Sequence, residues 1–333
     1  MILKRHASKY INCLFISIFI TFFNTPNKSM AEDMPKGEAI VTIFSDFHTG
    51  LTKSNNDKGF GLERAYVGYK QKFNGNWEVK AVIDFGQSEQ VEDHHRIGFI
   101  KNAQAAWKKG KWEINGGLIS TTQFKLQEDF WGKRYIMKSF QDEYKYGSSA
   151  DLGFSVKYSF SPMLAMDYIL VNGEGYKKVQ LGKGLLYGIG ITLNPISNMI
   201  FRIYGSYNEA KSLEEKGIGN LAVFLGYSNH YLSIAGEYNL MLNKAYIKDS
   251  NENGGSFYFS LFPKHKISYF GRCDFLKTLN QPQEIKEINF ILGTSFKLNK
   301  HIKLSPNLRL KSNNHSSVNN KTLSLFLNVA FVI

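Results

Sequence analysis

The chain has 333 residues, with 41 Lys and Arg against 28 Asp and Glu, for a formal net charge of +13. Hydrophobic residues make up 43% and aromatics 14%, and Pro is held to 7, which together exclude a disordered or low-complexity chain. Beyond the amino-terminal region no apolar run approaches the ~18 residues of a membrane helix.

Lys4, Arg5 and Lys9 lead into an apolar run over 11–23, and Ser29-Met30-Ala31 supplies small residues around a cut. This predicts a cleaved secretory signal peptide over 1–31 and one barrel domain over 32–333. The leader holds Lys4, Arg5, Lys9 and Lys28 and no acid, so the remaining chain keeps +9. Cys13 leaves with it. Cys273, then alone, makes neither an intramolecular disulfide nor a structural zinc site.

From residue 38 onward the pattern is one of strands. The segment 38–49 comes first. In 61–73, Ala65, Val67, Tyr69 and Phe73 share one face, and Arg64, Tyr66, Lys70 and Lys72 share the other. Asn74-Gly75-Asn76 marks a tight turn, and Trp77, Val79, Ala81, Ile83 and Phe85 then alternate with Glu78, Lys80 and Asp84. Hairpins follow at 99–107 with 112–118, 151–160 with 164–171, 185–193 with 199–207, 219–227 with 231–240, 257–262 with 266–275, and 288–298 with 302–310. The last strand, 321–333, sets Leu323, Leu325, Leu327, Val329, Phe331 and Ile333 on every second place. The total is about sixteen, an even number of strands of membrane-spanning length.

Short turns alternate with long polar connections near 50–60, 87–96, 121–147, 173–183, 210–217, 242–254, 277–286 and 311–320. An all-β transmembrane antiparallel barrel is expected, with long extracellular loops and short periplasmic turns. Its first and last strands should pair, since a greasy terminal strand left as an edge invites aggregation. A charge facing lipid at the membrane midplane costs about 2–4 kcal/mol, so the charged face must be the inner one. Arg64, Lys70, Lys80, Lys157, Arg202, Arg272, Lys303 and Arg309 are therefore predicted to line a pore. Lys101 breaks the pattern by sharing parity with Phe99 and Trp107, which calls for a snorkelling side chain or a bulge. The longest connection, 121–147, is mixed in sign and aromatic. Leu126, Phe130, Met137 and Phe140 suit a folded segment. Lys125, Glu128, Asp129, Lys133, Arg134, Lys138, Asp142 and Glu143 would set the width and field of the pore if the loop enters it.

The stretches F-G-L-E-R-A-Y-V-G-Y (60–69), W-E-V-K-A-V-I-D-F-G (77–86) and F-W-G-K-R-Y (130–135) resemble the early strands and third loop of the phosphate-selective O/P-like porins of Gram-negative outer membranes. That resemblance implies diffusion of small hydrophilic or anionic solutes through a water-filled channel, often as a homotrimer. It also implies recognition of the last strand by the barrel assembly machinery, where Ile333 stands in place of the usual aromatic. Outer-membrane lipid is the expected surrounding. No cofactor, metal or nucleic acid is expected, because the basic charge is spread over alternating strand faces. An enzyme is the chief rival. Asp46 and His48 lie close together, yet no nucleophile motif accompanies them. An adhesive or structural barrel is a further rival. His94-His95 after Glu92-Asp93 reads as a solvated loop rather than a metal site, and glycine-rich 182–190 enters a strand rather than the helix a phosphate loop needs.

Overall fold

The computed structural model describes residues 37–52, 55–87, 96–179, 184–264, 266–279, 285–314 and 320–333. The predicted leader, 1–31, and the His94-His95 pair lie outside the described residues. No described helix is long and apolar enough to cross a membrane.

Sixteen strands make one sheet: β1 (Gly37–Gly50), β2 (Lys58–Phe73), β3 (Trp77–Gln87), β4 (Arg96–Lys109), β5 (Trp112–Ser120), β6 (Ala150–Ser159), β7 (Leu164–Val171), β8 (Leu186–Leu193), β9 (Met199–Asn208), β10 (Ile218–Ser228), β11 (Leu232–Leu242), β12 (Asn251–Lys264), β13 (Ile267–Leu279), β14 (Lys286–Lys297), β15 (Ile302–Asn313) and β16 (Asn320–Val332). Each pairs antiparallel with its sequence neighbours, and β1 pairs with β16 from Thr42↔Val332 to Gly50↔Ser324, which closes the barrel. Closure satisfies every strand's backbone within the sheet, so no edge is exposed to lipid. Gly37 and Ile333, the two ends of the described barrel, lie at the short-turn end. The β2–β3 turn shows why so few residues suffice there. Gly75 and Asn76 sit at φ 77° and 72°, left-handed conformations that these two residue types tolerate.

Period two sorts the side chains as expected. Leu152, Phe154, Ile189, Ile203, Leu221, Phe257, Phe290, Leu308 and Leu325 are exposed on the outer face, whereas Asp151, Ser155, Arg202, Asp274, Ser305 and Asn328 are buried inside. Register shifts occur at three places among the described strands, one of them late in β12 between Leu261 and Lys264. Val82 faces Asn102 and Ile83 faces Ile100, leaving Lys101 as the extra residue of β4. The bulge resolves the Lys101 conflict and corrects the parity of Phe99. Both turn inward, Phe99 onto Tyr176 (ring centroids 6.5 Å apart) and Lys101 onto Tyr66. A second shift, at Phe44/Ser45 against Arg64/Leu62, makes Glu63 the extra residue of β2. β12 is longer than the predicted 257–262. Asn253-Gly254-Gly255 reads as loop, yet it pairs with 275–277. At Gly254 a Cβ would lie 2.6 Å from the Phe140 ring, so the small residue marks where an internal segment meets the wall.

The candidate pore and its internal loop

That internal segment is the β5–β6 connection. It folds as α1 (Lys125–Trp131), a turn, and α2 (Phe140–Glu143). Its aromatic side chains point at the inner wall rather than at solvent. Trp131, Tyr135 and Ile136 are buried against Phe44, Phe224, Ala235, Tyr258, Phe270, Ile291 and Ala330, with Leu126, Phe130 and Met137 packed alongside. Phe140, Tyr144 and Tyr146 form a second cluster with Met241 and Leu276. Burying such side chains is worth about 1.5–3 kcal/mol each, so the loop is held inside the barrel by its own apolar content.

Polar contacts fix its path. Three wall arginines donate to loop carbonyls: Arg202 to Thr122 O at 2.9 Å, Arg272 to Lys138 O at 2.6 Å, and Arg309 to Ile136 O at 2.8 Å. The Tyr135 hydroxyl lies 2.8 Å from both Ser295 and Ser305 Oγ, and Asn328 donates to Tyr135 O at 3.1 Å. Lys133 Nζ reaches Ser260 Oγ at 2.6 Å. The loop crosses from β5 to the inner faces of β9–β16 and β1.

The predicted pore-lining residues divide by partner. Arg64 pairs with Asp84 at 2.9 Å, Arg202 with Asp167 at 2.5 Å, and Arg272 with Asp274 at 2.7 Å. Arg309 is bonded to Asn307 and Asn328 and lies 3.7 Å from the centroid of the Phe326 ring. These four guanidinium groups are neutralised or committed to the loop, so they serve as anchors. Lys70 meets Glu38 at 2.6 Å. Lys80, Lys157 and Lys303 have no carboxylate within ion-pair distance among the described residues.

Of the predicted loop charges, Lys125 pairs with Asp129, and Arg134 pairs with Glu128 and with Asp142, the latter at 2.7 Å. Burial raises the Asp142 carboxyl, but Arg134 overrides it, with help from Lys138 and Arg64, and holds it below the usual range. Burial pushes Glu143 up. Among the described residues Lys133 has only Ser260 as a polar partner, and burial, reinforced by Lys303, pushes its ammonium down to about 8. Opposite the loop, the inward-predicted Arg64, Tyr66 and Asp84 are joined by Tyr176, which the sequence did not single out. Tyr176 donates to Asp84 at 2.5 Å and Arg64 to the Tyr66 hydroxyl at 2.5 Å, so the β7–β8 loop is also tied to the wall. Between this wall and α1 lies a cavity of about 200 Å³ lined by Tyr66, Lys80, Lys101, Asn102, Phe124 and Glu128.

The rival reading finds half a catalytic set. His48 Nδ1 is 2.8 Å from Asp46 Oδ1, but its Nε2 faces Asp57 Oδ2 at 3.7 Å and Phe326 packs on the ring. A second carboxylate occupies the place that a nucleophile's hydroxyl would need. No group of three metal-binding side chains occurs among the described residues.

No family model and no curated protein matches this sequence. Solved structures do. OmpF of Salmonella typhi aligns with a TM-score of 0.69 at 10% identity, covering 92% of this chain and 100% of its own. The anion-selective porin from Comamonas acidovorans aligns at 0.68 and 10%, covering 90% and 100%. The trimer form of OmpT, an outer-membrane protein of Vibrio cholerae, aligns at 0.60 and 11%, covering 90% and 100%. The chain has the fold of outer-membrane porins.

Proposed function

We propose that the chain is a non-enzymatic porin of a Gram-negative outer membrane, exported with a cleaved signal peptide. It passes small hydrophilic solutes by diffusion and mildly prefers anions. The observation that carries this reading is the loop over 121–149, packed and hydrogen-bonded inside a closed barrel whose outer face is apolar. A loop so placed narrows a lumen, and the wall opposite it is polar and charged. The long loops then face the cell exterior and the short turns the periplasm.

The anion preference rests on lysines. Lys80, Lys157, Lys297 and Lys303 face the lumen toward the short-turn end without carboxylate partners among the described residues, and unpaired bases in a pore favour anions. The arginine forks that would grip phosphate with two bonds are taken by Asp84, Asp167 and Asp274. This supports general anion preference over phosphate selectivity. Planar-bilayer recording in a salt gradient tests it: a reversal potential on the anion side is expected, and clear cation selectivity would refute it.

We also place a homotrimer contact on the outer face of β2–β5. There Ala65, Ala81, Gly98, Ala103, Ala105 and Gly116 stand among exposed large side chains such as Val67, Tyr69, Ile83 and Phe85, small and large apolar groups on which a second copy would seat. The final strand, with Leu323 to Phe331 toward lipid, would carry the address read by the assembly machinery.

A further inference from the structure

At the long-loop end of the β1–β2 hairpin, three side chains follow one another. Asp46 is buried, His48 is half-buried two places further along β1, and Asp57 is exposed just before β2 begins. The two nitrogens of the His48 ring meet different carboxylates. Nδ1 lies 2.8 Å from Asp46 Oδ1. A carboxylate only accepts, so Nδ1 carries the hydrogen of the neutral imidazole, and Nε2 is left with its lone pair. That lone pair faces Asp57 Oδ2 across 3.7 Å, too far for a hydrogen bond.

Two electron-rich atoms facing each other call for a cation between them. Zinc binds imidazole nitrogen and carboxylate oxygen at about 2.0–2.2 Å each, and two such bonds span a gap of this size at an angle of about 120°, near the tetrahedral value. The ring is held for the task. Phe326 packs on it at 5.4 Å between centroids. Gly59 leaves the Nε2 side uncovered, since a Cβ there would already lie 3.7 Å from that nitrogen. The carbonyl of Asp57 accepts from Gly50 N at 2.7 Å, which keeps the facing carboxylate close to β1.

We infer that His48 Nε2 and Asp57 bind a divalent cation of the zinc class, with Asp46 positioning the ring. Metal-binding imidazoles hand their other N–H to a carboxylate, which fixes tautomer and orientation, and Asp46 does this here. Asp46 is spent on Nδ1 and so orients the ligand without being one. An imidazole donor suits zinc, copper or nickel, whereas calcium and magnesium take oxygen alone. With two protein donors and water completing its shell, the metal is exchangeable and responds to zinc outside the barrel. Bound there, it ties the start of β2 to β1 beside the seam with β16 and adds positive charge at the pore mouth. That charge strengthens anion preference, a consequence that rests on the channel proposed above.

The test is calorimetric titration of the detergent-solubilised full barrel with zinc chloride. Wild type should bind one zinc per chain, calcium should not compete, and H48Q and D57N should each abolish the site. H94Q/H95Q, which removes the neighbouring histidines of the sequence, should keep it. D46N retains both donors and should weaken zinc by about 10–100-fold. A merely structural Asp46 would leave zinc affinity unchanged. Asp57 is exposed, so D57N disturbs no packing, and the comparison of zinc with calcium needs no variant to fold. Zinc binding that survives H48Q or D57N, or a wild type that binds zinc no better than calcium, would overturn the site. In a planar bilayer, zinc should move the reversal potential further to the anion side in wild type and not in H48Q. A barrel that conducts yet binds no zinc defeats this inference alone, whereas zinc binding without conduction defeats only the channel.

Discussion

Replacing Arg309 by Met should free the loop at its turn without unfolding the barrel. The Arg309 guanidinium donates to Ile136 O and to Asn328 Oδ1, both at 2.8 Å, while Asn328 in turn donates to Tyr135 O. Among the described residues no carboxylate pairs with Arg309, so Met leaves no orphaned charge and keeps much of the contact with Phe326. The bond to Ile136 O is a hydrogen bond from a charged donor, worth about 1.5–3 kcal/mol. Removing it should raise the opening constant of segment 133–138 by roughly tenfold to a hundredfold at 1.4 kcal/mol per tenfold. Hydrogen exchange reads this directly. The Ile136 and Met137 amides donate to Lys133 O at 2.9 and 3.3 Å and should lose protection by that factor, while the amides of β13–β16 should not. Unchanged exchange at 136 and 137 would show that the aromatic packing alone holds the loop. Equal loss in the strands would show that loop and wall open together. Either result refutes the idea of a loop pinned by wall arginines.

Removing the unpaired lysines in K297Q/K303Q should move the bilayer reversal potential toward cations, and an unchanged value would shift the source of selectivity elsewhere in the lumen. Burial pushes Lys133 down to about 8, so its ammonium is largely charged at pH 7 and largely neutral at pH 9. Anion preference should therefore fall as pH rises through that window, with a flatter profile in K133M, and a pH-independent wild type would refute the assignment. Ala81→Trp with Ala103→Trp should abolish a trimer band on unheated gels while leaving the barrel's own heat-modifiable shift. A persistent trimer would place the contact on another face.

The barrel was legible because its information is local. Alternation over about ten residues names a strand, and Asn-Gly or Asn-Pro names a short turn, so strand number, closure and loop asymmetry follow from the sequence. The site was legible only as a set of residues. Parity placed Arg64, Arg202, Arg272 and Arg309 inside, but gave no hint that Asp84, Asp167 and Asp274 neutralise three of them and loop carbonyls engage Arg202, Arg272 and Arg309. Such pairing depends on which inward residues stand level on neighbouring strands, and on where a distant loop settles. Lys101 shows the same limit at smaller scale. One extra residue in β4 reversed the parity of everything before it, and the misplaced charge of Lys101 signalled a bulge or a snorkelling side chain without deciding between them.

The places where alternation fails carry the rest. Phe224, Phe270 and Ile291 face inward, where the rule asks for polar groups, and each of them packs in the cluster that receives Trp131, Tyr135 and Ile136. These inward apolar residues are the footprint of the internal loop, readable in principle as errors in the pattern once the barrel is assumed. A barrel needs no such exception to close. An apolar group facing a wet lumen carries a cost, and it becomes favourable only when something covers it. The loop is present in the structure and covers its footprint.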